Sequence, residues 1–435
     1  MRSGPTSPAA GHPQRARDPR AIAGAALAGI ALALVALRLG AWGIDAPSTA
    51  PVRLDDWFDP AAIDANRDYR RGVWIMGAPA VLLTPAVAVA AALTGGRWRP
   101  PLVRAARGRP WRAGLIAGVA AALVLGVVSL PLAAGRFAWG RSHGVILQDT
   151  ADWLTDVGWA LAVSVVILGA LGCLAAVLLA RFPRTWWVAL AGVASALALV
   201  MAAVAPVVVE PLFQRTEPLR DPVLRDEVID LAARAGVSVD DVRINDAATR
   251  TTAANAHVSG LGSTRRIVLY DTLVREFPAD QVRVVVAHEL AHVEARHIPK
   301  GIAWVVGLSL PVCLLLFAVV RRRTGTAAPG RDAAGCDLVV RRLAVLAAGA
   351  AIVGAASVPL QNAVSRSFER EAEVRALELT GDPAASIALQ QGLVARARAV
   401  PDPPAIVRLL FGTHPTALER IAIARAWEDA RDGTP

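Results

Sequence analysis

The chain has 435 residues, 54% of them hydrophobic and 5% aromatic, with a formal net charge of +10. That much apolar sequence exceeds what the core of a soluble protein of this size absorbs, so the surplus must face lipid. Nearly all the positive charge is arginine, Lys300 being the only lysine, a bias that suggests a bacterial source. The arginines cluster in short loops between apolar runs, a pattern set by membrane orientation; nucleic acid is not an expected partner.

Residues 1–20, rich in Pro, Gly, Ser and Arg, read as a disordered basic tail. Apolar runs long enough to span a bilayer follow at 21–44, 72–94, 113–135, 153–180, 185–209, 301–320 and 338–360, which makes seven. The first is too long for a cleaved signal peptide and reads as a retained anchor. Pro79, Pro85 and Pro311 lie inside runs and predict kinks. Cys173 and Cys313 fall within runs and Cys336 in a short loop, all expected to be chemically inert. Gly-rich stretches such as Gly114–Gly126 predict close helix packing.

Two polar stretches remain, and they define the expected organisation. Five spans occupy 21–209, the first part of a polar domain 210–300, two more spans 301–360, and its second part 361–435. The first stretch predicts a helix over Val223–Ala235 and strands at Val242–Ile244, Ala254–Val258 and Arg266–Tyr270. A further helix begins near Asp280. The second stretch predicts helices over Ser365–Leu379 and Thr416–Asp429. With seven crossings, the arginines of the tail and of the 95–112 and 321–331 loops fall on one side, which the positive-inside rule makes cytoplasmic. Both polar stretches then lie on the opposite side. His143 and His12 are expected to be solvated.

His288-Glu289-Leu290-Ala291-His292 carries the chemistry. Positions i and i+4 share a helix face, so both imidazoles reach one ion, and Glu289 falls beside a water on the open position. A third histidine in the metzincin register would stand at 298, which is Ile298, and His297 is one residue off. A carboxylate from a later helix is the other solution, and Glu369, Glu371 and Glu373 are the candidates. Glu369 and Glu373 share a face, one to bind the ion and one to orient a ligand from behind, while Glu371 points away.

Glu210-Pro211-Leu212-Phe213, Asn255-Ala256 with Arg266 to Leu273, the HExxH helix, Asn362 with Ser365-Arg366 and Glu369, and His414-Pro415 with Arg420-Ile421 follow one another along the chain. In this order they resemble the CAAX prenyl protease type 1 family of integral membrane zinc peptidases, with HtpX-type peptidases more distant. The resemblance implies a mainly α fold, a seven-helix transmembrane bundle with a gluzincin-type α+β peptidase domain carrying a small β-sheet. It implies one Zn²⁺ on His288, His292 and Glu369, with Glu289 and His414 catalytic, Asn255 binding substrate backbone and Glu373 behind the ligands. The family usually has Asp where this chain has Glu373, and His257 replaces an aromatic beside the substrate strand. Expected partners are the bilayer and peptide or protein substrates, including lipidated ones. The family's eukaryotic members turn the zinc domain to the cytosol, opposite to the charge-based orientation. Two other readings are an HtpX-like quality-control protease and a non-hydrolytic metal-binding membrane protein. A transporter would place ionisable residues inside the spans, and these runs are nearly free of them.

Overall fold

The computed structural model describes residues 19–39, 49–260, 262 and 265–433. Most of the basic tail, His12 included, lies outside the described residues. In chain order the helices of the first half are α1 (Pro19–Leu39), α2 (Pro60–Leu93), α3 (Gly95–Ala105), α4 (Pro110–Ser142), α5 (Thr150–Arg181) and α6 (Trp186–Val204). A π-helical turn over Ala205–Val209 leads into α7 (Glu210–Phe213), so the apolar run and the Glu-Pro-Leu-Phe stretch form one rod. Their starts are chemically marked. Asp59 and Asp149 accept backbone N–H bonds at the N-termini of α2 and α5, and Pro60 and Pro110 stand where no helical N–H is needed.

The first polar stretch holds β1 (Thr216–Pro218), α8 (Pro222–Arg234), β2 (Asp241–Asn245), β3 (Ala256–Ser259), β4 (Arg266–Tyr270), α9 (Asp271–Glu276) and α10 (Ala279–Glu294). The sheet order is β1-β2-β4-β3, with β2 and β4 parallel and the outer pairs antiparallel. Its interior follows from the β-branched sequence of β4, where Ile267, Val268 and Leu269 are all buried. The three-residue β1 is too short to have been visible as a pattern. β3, one edge of the sheet, is the strand that matters below.

The chain then continues through α11 (His297–Thr324), α12 (Ala333–Thr380), α13 (Pro383–Arg396), α14 (Ala405–Phe411) and α15 (Ala417–Asp432). Among the described residues, six helices are long and apolar enough to cross a membrane: α2, α4, α5, α6 continued through α7, α11 and α12. The seventh expected span is a shorter apolar helix over Arg20–Val35 within α1, and residues 40–44 lie outside the described ones. The helix expected over Ser365–Leu379 is present, but as the last part of α12 and not as a separate element. α12 runs unbroken for 48 residues, about 72 Å at 1.5 Å per residue, more than twice a hydrocarbon core. Its polar surplus carries Glu369, Glu371 and Glu373 out of the apolar region. Cys336 lies in its first turns, fully buried, rather than in a loop.

Packing explains how the halves hold together. α4 lies along α5 so closely that a Cβ on Gly114 or Gly118 would strike the carbonyls of Gly172 or Leu168. At the Arg-rich end, Val103, Ala106, Ala113, Cys336 and Val340 form one cluster, and Arg99 pairs with Asp337 at 3.1 Å. At the other end the two polar stretches share a core: Val242, Ile267, Leu269, Val286 and Leu290 pack with Ala376 and Leu389. Leu290 is fully buried, which contributes about 1.5–3 kcal/mol. The start of α2 joins them, with Phe58 and Ile63 against Leu377 and Ile421. His143 is half-buried, close to the rings of Tyr69 and Trp139, and not simply solvated.

Candidate active site

The last two turns of α10 bring His288, Glu289 and His292 to one place while Val286 and Leu290 anchor the helix in the core. α12 approaches from the other side with Glu369 and Glu373, both buried. His288 Nε2 lies 3.2 Å from His292 Nε2 and 3.2 Å from Glu369 Oε2, and His292 Nε2 lies 3.6 Å from Glu369 Oε1. Ligands about 2.0–2.1 Å from a tetrahedral ion sit roughly 3.3–3.4 Å apart. The two imidazole nitrogens and the Glu369 carboxylate therefore lie close enough together to share one ion.

The hydrogen positions sharpen this fit. His288 Nδ1 is buried, 3.1 Å from Glu373 Oε1, and His292 Nδ1 is 2.7 Å from His297 Nδ1. Glu373 is itself gripped by Arg420, so it is an acceptor and calls for the His288 hydrogen on Nδ1. With the Nδ1 atoms protonated, both Nε2 atoms and the Glu369 carboxylate turn lone pairs on a common point with no hydrogen among them. A cation satisfies all three. The field favours positive charge at this point: burial pulls the His288 pKa down, but the Glu373 charge and the hydrogen bonds to Glu369 and Glu373 raise it to about 10. His292 is pulled down to about 3 by burial and by the charge of His288, as suits a neutral ligand. Loss of solvation pushes Glu289 up to about 7, with the charge of His288 opposing and that of Glu369 adding to it.

His414 comes from the loop between α14 and α15. Its Nε2 lies 3.3 Å from Glu369 Oε2, on the exposed side of the cluster. Two residues of α12 hold that loop, Asn362 donating to the Leu409 carbonyl at 2.9 Å and Arg366 donating to those of Arg408 and Gly412. Pro415 follows, and Thr416 with Glu419 forms a capping box that fixes the start of α15. His288, Glu289, His414 and Asn255 line one cavity of about 90 Å³, with Leu273, Val284 and Leu389 supplying its apolar wall. Asn255 is exposed just ahead of β3; its side chain accepts from the Ala256 N–H at 2.9 Å, and its carbonyl accepts from Tyr270.

Both ends of the β3 edge are tied to membrane helices. Glu210 accepts from Ser259 at 2.9 Å and meets His257 Nε2 at 2.9 Å, while the loop between α4 and α5 bonds to Arg250 and Thr252 upstream. The structure thus brings His288, Glu289, His292, Glu369, Glu373, His414 and Asn255 together, while Glu371 faces His297 and Lys300 instead. It adds Arg420, Arg366, Asn362 and Glu210, all within the family-like stretches, and a network behind His292 that the motif alone did not suggest.

Two family models tile the chain: "Peptidase family M48" over residues 218–428, and "CAAX prenyl protease N-terminal, five membrane helices" over 45–215. The chain belongs to the CAAX prenyl protease type 1 family of M48 peptidases. Its relatives include an uncharacterized metalloprotease, YhfN, of Bacillus subtilis, 28% identical over 71% of this chain and 72% of that one. CAAX prenyl protease 1 of Saccharomyces cerevisiae is 31% identical over 40% of this chain, and the match spans only 38% of the yeast protein. The fold is shared with the crystal structure of S. mikatae Ste24p, at a TM-score of 0.73 and 19% identity, over 93% of this chain and 98% of that one. This M48 peptidase is an integral, multi-pass membrane metalloendopeptidase that acts on peptide or protein substrates.

Proposed function

We propose that the metal is zinc, one per chain, held by His288, His292 and Glu369, and that the site hydrolyses peptide bonds in extended, membrane-associated segments. The observation that carries this reading is the convergence of two imidazole nitrogens and one carboxylate, 3.2–3.6 Å apart. Two imidazoles and one carboxylate are a donor set that suits zinc. Zinc, when bound there, supplies Lewis acidity toward water and the scissile carbonyl.

The remaining work falls to the chain's own side chains. An extended substrate adds to the β3 edge through main-chain hydrogen bonds, with Asn255 at the end nearest the cavity. The cavity has room for several waters or for one substrate side chain. Glu289 accepts the proton of the attacking water and passes it to the leaving amine. His414, on the open side, donates a hydrogen bond to the oxygen that becomes negative. Glu373 and Arg420 hold His288 in the orientation the donor set requires.

The test is digestion of a mixed peptide pool by the purified full-length protein in detergent, with products read by mass spectrometry. Cleavage should stop with a chelator and return with zinc, and elemental analysis should find one zinc per chain. Cleavage that persists after the metal has been stripped would sink the reading.

A further inference from the structure

His292 does not end the donor array. Its Nδ1 is 2.7 Å from His297 Nδ1, and His297 Nε2 is 3.2 Å from Glu371 Oε2. Glu371 is in turn held by Lys300 at 3.1 Å and by Arg375 at 3.0 and 3.2 Å. His297 and Glu371 are both buried. Two features fix the histidine there. Arg296, in left-handed conformation at φ 55°, folds α11 back against the end of α10. Phe368 then stacks on the His297 ring at 4.6 Å and 9°.

The partners dictate where the hydrogens go. A carboxylate between a lysine and an arginine stays ionised and only accepts, so the hydrogen of neutral His297 sits on Nε2. His297 Nδ1 is then an acceptor, and the only hydrogen available to the 2.7 Å contact is on His292 Nδ1. That leaves His292 Nε2 with a bare lone pair directed at His288 and Glu369.

We propose that His297 and Glu371 form a relay that locks His292 in its Nδ1–H tautomer and aims its Nε2 at the metal. This inference rests on the metal-centre reading and deepens it. Residues behind a metal-bound imidazole commonly set ligand orientation and basicity. Here an imidazole is interposed between ligand and carboxylate, so the negative charge of Glu371 lies one ring further from the metal. The roles of His297 and Glu371 are positional, since neither faces the cavity that Glu289 and His414 line.

The experiment measures the zinc dissociation constant by competition with a chromophoric chelator on the full chain in detergent. The visible spectrum of the Co²⁺-loaded protein is the second readout. His297→Phe keeps a ring to stack on Phe368 and removes both nitrogens; it should weaken zinc about 10–100-fold and alter the cobalt bands. His297→Gln, which restores an acceptor and a donor, should recover part of the loss. A network that merely joins α10 to α12 would lower the thermal midpoint of both variants alike and leave zinc affinity unchanged. Wild-type affinity in His297→Phe, with an unaltered cobalt spectrum, overturns the relay. Should His297→Phe not fold, Glu371→Gln decides: a severalfold weaker zinc site supports the relay and an unchanged one overturns it. A wild-type protein that binds no zinc would instead remove the metal-centre reading, and this inference with it.

Discussion

Arg366 donates to the carbonyl of Gly412, two residues ahead of His414. The same helix that offers Glu369 therefore also sets the reach of the histidine on the opposite lip. His414→Ala should lower kcat about 10²–10³-fold with little change in KM, the signature of a donor to the developing oxyanion. Arg366→Ala should reproduce part of that loss, and the double variant should be no worse than His414→Ala alone. Peptide-cleavage kinetics on the three proteins tests this; additive losses would mean that the two residues act separately.

Glu289→Gln keeps size and shape while removing the base. Turnover should fall at least about 10²–10⁴-fold, with zinc content unchanged by elemental analysis. A variant that lost its metal along with its activity would show that Glu289 has a structural role the geometry does not suggest.

Glu373 stands behind His288 and is clasped by Arg420. Glu373→Ala should weaken zinc about 10–100-fold. Glu373→Asp should weaken it less, because the acid is shortened by one methylene but the charge remains. Chelator competition measures both, and equal affinities in all three proteins would contradict the assigned orientation.

At the crossing of α4 and α5, Gly118 faces the Leu168 carbonyl with no room for a side chain. Gly118→Val forces the helices apart and should cost about 1–3 kcal/mol, read as a lower thermal midpoint in detergent. Metal content at low temperature should be unaffected, since the crossing is remote from α10.

Much of the site was legible because its chemistry is local. An i, i+4 pair of histidines on an amphipathic helix needs no tertiary information to be seen, and the later carboxylate follows from the missing ligand. What escaped the sequence depended on contacts between distant segments. By register alone His297 is only a misplaced ligand, whereas in the fold it stands behind His292. Glu371 does point away from Glu369, but into a buried clasp of Lys300 and Arg375 rather than into water. The unbroken course of α12 was hidden because hydropathy falls after residue 360 whereas helical propensity does not, and Pro359 is accommodated inside the helix. α1 reads as a full span by composition, but its described apolar stretch is shorter than the six long ones.

α12 carries its lipid-facing turns and Glu369 on one unbroken 48-residue helix. A tilt imposed by bilayer thickness becomes a displacement at the far tip, multiplied by the lever arm beyond the headgroups. The turnover of the reconstituted protein should therefore shift with the acyl-chain length of the host bilayer, which peptide cleavage in vesicles of graded lipid length measures.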